Sequence, residues 1–150
     1  MTVWWITLAS SYLLCLVAGM NAKTVYSNGH YTKKYNKFFS FMSVAILVLV
    51  AGLRSGIGDT PTYIQGYKTD APSTIAGSIK LLFSGKKDAG FYFYQGILKS
   101  IVNNPNVFIF VTSLITIVLI FITYYKYSQL LELSVFLFIT TGCYLVTMNG

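Results

Sequence analysis

The sequence predicts an all-α polytopic membrane protein, with about four transmembrane helices and further amphipathic helices in a long extracytoplasmic loop. Three observations carry that expectation. Of 150 residues, 55% are hydrophobic and only 10% are charged, against roughly 25% charged in an average soluble domain. The apolar residues fall into four runs that contain no charge, 2–20, 38–53, 107–125 and 133–148. The charges collect between the runs and sum to +7. Beside a bilayer, that excess answers anionic headgroups and lipid-linked phosphate; no nucleic-acid-binding module accompanies it.

The first run, Thr2 to Met20, holds 19 residues. As a helix it measures roughly 28 Å, about one hydrocarbon thickness. Trp4 and Trp5 stand at its start, where an aromatic belt places them. A cleaved signal peptide is the competing reading, and the absence of Lys or Arg before the run argues against it. Residues 21–37 are polar and carry Lys23, Lys33, Lys34 and Lys37 with no acid to offset them, the density of a cytoplasmic loop. The lone histidine, His30, is a solvated loop residue with no assigned role. Phe38 to Leu53 is the second span, short at 16 residues unless Lys37 or Arg54 snorkels. Gly52 and Gly56 have the G-x-x-x-G spacing of close helix contacts, a weak signal with Arg54 between them.

Residues 54–106 form the long loop, with all three prolines and seven of the twelve glycines. Thr62 to Tyr67 reads as a short helix with Tyr63 and Tyr67 one turn apart. Ile75, Ile79 and Leu82 repeat at helical spacing, and so do Tyr94, Ile97, Leu98 and Ile101. Each stripe marks an amphipathic helix, lying on the membrane or on the other spans. Val107 to Tyr125 is the third span, ending in the interfacial Tyr124, Tyr125, Lys126 and Tyr127. After a turn over 128–132, Leu133 to Met148 is the fourth, with Thr140, Thr141 and Gly142 as a small contact face. Cys15 and Cys143 lie inside apolar runs and read as small fillers rather than a disulfide or metal pair. A chain that stops on the last turn of a span reads as the N-terminal part of a longer protein. Density of lysine sets 21–37 inside, so 54–106 and Asn149 share the outer face.

Chemistry concentrates where the second run stops, at Gly52-Leu53-Arg54-Ser55-Gly56-Ile57-Gly58-Asp59-Thr60-Pro61-Thr62-Tyr63. Arg54 offers a planar fork of donors that suits phosphate or diphosphate oxygens. Asp59 is able to accept a proton, orient Arg54 or bind a cation. Gly56 and Gly58 permit backbone shapes and approaches that a Cβ blocks. Pro61 suits the first turn of a helix capped by Asp59 or Thr60. The plainer reading is that Arg54 snorkels to headgroups and Asp59 only caps a helix.

The stretch from Gly52 to Thr60, followed by Tyr63, resembles the signature after the second span of the EpsG family. These are membrane proteins of bacterial exopolysaccharide and capsule synthesis, related to Wzy-type polymerases. Lys87-Asp88-Ala89-Gly90-Phe91 resembles the family's K-x-P-G-F segment, with Ala89 where proline is common. Tyr144 to Gly150 resembles the start of its M-N-G-I-R-Q motif. Many members read G-T-D where this chain reads Gly58-Asp59-Thr60, so the acid is shifted by one position. The resemblance implies a polymerase of lipid-linked oligosaccharide repeat units in the bacterial cytoplasmic membrane. Its substrate would be a polyprenyl-diphosphate-linked glycan, and its neighbours membrane lipid and other polysaccharide-synthesis membrane proteins. It further implies Arg54 and Asp59 as catalytic residues, and Gly56, Gly58, Tyr63, Tyr67 and Asn149 at the substrate. No cofactor is expected, and no carboxylate cluster suggests a metal. A transporter or flippase, or a non-catalytic membrane subunit of the same pathway, is the alternative. The absence of charge inside the four runs favours surface chemistry over translocation.

Overall fold

A computed structural model describes residues 2–27, 30–56, 58–85 and 87–149, with backbone alone at 27, 30–32 and 149. Among them the chain is mainly helical. The order is α1 (Thr2–Met20), β1 (Lys23–Ser27), β2 (His30–Lys34), α2 (Lys37–Gly52), α3 (Thr60–Thr69), α4 (Ile75–Leu82), α5 (Ala89–Ile101), α6 (Pro105–Tyr127), α7 (Leu131–Thr140) and α8 (Cys143–Asn149). Two helices, α1 and α6, are long and apolar enough to cross a membrane. The apolar α2 and α7 are shorter.

Two segments differ from the sequence expectation. Residues 23–27 and 30–34, expected as loop, pair as antiparallel strands in which Lys23 faces Lys34 and Tyr26 faces Tyr31. β-Branched and aromatic residues at 24–26 and 31–32 favour the pleated pairing over a coil. The fourth apolar run is two helices rather than one. It breaks at Gly142, whose φ of 83° is left-handed and is open to glycine at little cost. The Thr140 and Thr141 hydroxyls donate to the carbonyls of Phe136 and Leu137 one turn back, contacts that loosen a helix end.

The chain divides into two compact units, 1–51 with 113–148, and 52–112. In the first, α1 packs on α7, and its small residues Thr7, Ser11, Cys15 and Ala18 are buried at helical spacing. The Ser43 hydroxyl of α2 donates to the Ser11 carbonyl at 3.1 Å and accepts from the Cys15 thiol at 3.2 Å. Tyr144 of α8 is fully buried. Its hydroxyl donates to the Leu47 carbonyl of α2 at 2.7 Å, and its ring meets Trp4 and Phe138.

Tyr35 ties the hairpin's exit to the α6–α7 turn. Its hydroxyl donates to the Gln129 carbonyl and accepts from the Leu131 amide, while Tyr125 donates to the Tyr35 carbonyl. Burial raises the phenol above its ordinary value of 10; the Leu131 amide opposes this and the nearby Glu132 carboxylate adds to it. The folded pKa therefore lies above the unfolded one. The stabilisation is complete below pH 10 and is lost as pH rises through the folded value. Tyr35→Phe leaves a carbonyl and an amide unpaired and should cost about 2 kcal/mol. Thermal unfolding in detergent should show that loss at neutral pH and a shallower alkaline decline than wild type. Equal alkaline slopes would refute the assignment.

In the second unit, α3, α5 and the first turns of α6 enclose a core of Tyr67, Ala71, Phe108 and Ile109, flanked by Tyr63, Ile64, Tyr94 and Leu98. Lys99 of α5 closes the end of α3 by donating to the carbonyls of Lys68 at 3.0 Å and Ala71 at 2.8 Å. Its charge complements the negative helix terminus there.

Candidate functional site

The site is built where α2 ends and α3 begins. Gly52 closes α2 against Phe110: an ideal Cβ there would stand 2.6 Å from the Phe110 ring and 3.3 Å from its Cα. Gly56 makes no comparable contact, with nothing within 4 Å of its Cβ position, so the G-x-x-x-G pair is not a two-sided packing seam. Between them the half-buried Arg54 turns toward α3. Its Nε–H donates to the Thr60 hydroxyl at 2.9 Å. Thr60 is completely buried, so the anchor is fixed by packing.

Gly58 takes a left-handed φ of 57° and reverses the chain into α3. Asp59 holds the N-cap position, with Pro61 in the first turn. Its carbonyl accepts from the Tyr63 amide at 3.0 Å, while its carboxylate makes no capping bond and is exposed. The acid thus stands free of the helix it starts, beside the positive end of the α3 dipole.

Tyr63 and Tyr67 share a side of α3 and differ in what they present. Tyr63 is half-buried and meets Phe91 edge-to-face at 5.8 Å. Tyr67 is 1% exposed, stacked on Phe108 at 4.8 Å, with its hydroxyl donating to the Val102 carbonyl. Burial raises its phenol above the ordinary value, and Tyr94 adds to that. In this arrangement Tyr67 packs the core and presents no ring face for a sugar. Phe91 lies just beyond Asp88, which adopts φ 62° and begins α5. The two sequence segments 52–63 and 87–91 therefore meet through Tyr63 and Phe91. Asn149 ends α8, and its side chain lies outside the described residues, as does all of Ile57. Among the described residues no three of His, Cys, Asp and Glu gather in one place.

The family model described as "EpsG family" matches residues 37–150. The chain belongs to the EpsG family. Membership makes it a membrane protein of polysaccharide biosynthesis, in agreement with its two long apolar helices. No curated protein and no solved structure matches it. The matched region of this EpsG-family chain contains the whole of 52–63 and 87–91. Thr60, which holds the EpsG arginine, was read from the sequence only as a possible cap.

Proposed function

We propose that this EpsG-family protein polymerises lipid-linked oligosaccharide repeat units at the outer face of the bacterial cytoplasmic membrane. The observation that carries the reading is the Arg54–Thr60 tether, which presents a fixed cation at the start of α3. In the reaction, an acceptor sugar hydroxyl attacks the anomeric carbon of the donor glycan. The bond from that carbon to the diphosphate oxygen breaks, and its electron pair leaves with the polyprenyl diphosphate. Arg54 stabilises the charge that grows on the leaving oxygens, an interaction stronger in the transition state than before it. Asp59, exposed and unbonded to its helix, receives the hydroxyl proton or orients the acceptor. Tyr63, braced by Phe91, offers a ring face for a sugar, and Gly56 and Gly58 let the diphosphate approach the backbone. Asn149 is assigned to the substrate from its motif alone. The other membrane proteins of polysaccharide synthesis supply the repeat units.

Cells lacking the full-length protein should accumulate single repeat units on lipid at the outer leaflet, and lipid analysis with leaflet-selective oxidation reads this directly. Accumulation at the inner leaflet instead would assign the protein to translocation. Undiminished polymer would remove it from the pathway's chemistry.

A further inference from the structure

Helix α4 packs inward with its smallest residues. Ser78 is fully buried, and a Cβ on Gly96 of α5 would fall 2.0 Å from the Ser78 hydroxyl and 2.8 Å from the Pro72 ring. The Ser78 side chain and the Pro72 ring therefore lie directly against the Gly96 backbone. Leu81 is half-buried, but four large apolar residues are turned the other way: Ile75 is 56% exposed, Ile79 46%, Leu82 39% and Phe83 81%. On a helical wheel these four cover an arc of about 100°. A helix facing water would be arranged in reverse, with serine out and isoleucine in. Lys80 stands at the edge of the arc, exposed, and Lys87 is exposed just after the helix. No acidic residue occurs between Asp70 and Asp88.

We propose that α4 is an interfacial helix that seats Ile75, Ile79, Leu82 and Phe83 in the acyl boundary of an anionic lipid surface, with Lys80 and Lys87 among the headgroup phosphates. An apolar arc rimmed by lysine and free of acid has the polarity and charge of a headgroup-level helix. An anionic lipid surface supplies the apolar boundary and the phosphates at one depth. The inference is independent of the polymerase reading, because it concerns how residues 75–87 are held rather than what Arg54 does.

The test is a cysteine scan of residues 75–84 in a Cys143→Ser background of the full-length protein. Each variant is spin-labelled and reconstituted into vesicles of phosphatidylcholine and phosphatidylglycerol. Cys15 is fully buried and stays unlabelled. Collision rates with oxygen, which partitions into lipid, are compared with those of a water-soluble nickel chelate. The oxygen-to-nickel ratio should rise and fall with helical period, with maxima at 75, 79, 82 and 83 and a minimum near 77 or 78. Omitting phosphatidylglycerol should lower the maxima. A flat profile favouring nickel would mean that the face lies in water. Protection from both quenchers at 79 and 83 would mean that protein covers it. Either result overturns the proposal, and ten independent positions prevent one misfolded variant from deciding it.

Discussion

Arg54→Lys in the full-length protein is expected to abolish polymer, although the charge is kept. Lysine has no Nε–H, so the 2.9 Å bond to Thr60 is lost and the cation swings on a flexible stem. Its compact ammonium also lacks the planar fork that pairs with two diphosphate oxygens in parallel. Removing one preorganised donor from a developing charge typically costs about 3–4 kcal/mol, on the order of 10²–10³ in rate. Thr60→Val separates the two contributions. It keeps shape and guanidinium and deletes the anchor, so polymer should fall by about tenfold, the scale of one net hydrogen bond. Gel analysis of chain length and yield reads both variants. Normal polymer from Arg54→Lys would remove Arg54 from the reaction.

Gly96→Ala should give the largest loss of stability in the second unit. The added Cβ meets the Ser78 hydroxyl at 2.0 Å, the Pro72 ring at 2.8 Å and the Ser78 Cβ at 3.0 Å. The hydroxyl can rotate, whereas the proline ring and the Cβ cannot leave without moving a backbone. Alanine gains about 1 kcal/mol of helix propensity, and overpacking costs about 1–3 kcal/mol and sometimes more. The fixed Pro72 ring and Ser78 Cβ put this site at the upper end, so a net loss of about 2 kcal/mol is expected. Ser78→Gly placed on top should recover part of the loss, since it removes two of the three contacts. Thermal unfolding in detergent measures both. An undiminished midpoint for Gly96→Ala would mean that α4 and α5 are not in close contact.

The charge-free runs made most of the helices readable, because burial in lipid or protein requires the same absence of charge over the same length. The ends of α1 match the first run at both residues, and the stripes at 75–82 and 94–101 fall inside α4 and α5. The hairpin at 23–34 was obscured by its lysines. Asn28-Gly29 between residues of high β-propensity was the better guide, since that pair favours a tight reversal. The break at Gly142 left no mark in a run read only for charge. At the site, spacing set Tyr63 and Tyr67 on one side of α3 but not how deeply each would lie. Their different fates depend on Phe108, which arrives from a helix some forty positions away. Thr60 was invisible for a similar reason: a hydroxyl's partner is a matter of direction, and direction comes from the turn at Gly58.

The bend at Gly142 changes what governs α8. Seven residues are too few to hold a helix unaided, and after a left-handed corner α8 no longer inherits its bearing from α7. Tyr144 serves as a rivet: its hydroxyl is fastened to the Leu47 carbonyl and its ring is wedged by Trp4 and Phe138. The aim of Cys143–Asn149 is thus tied to α1 and α2, whose shifts would be transmitted to it through that aromatic pin.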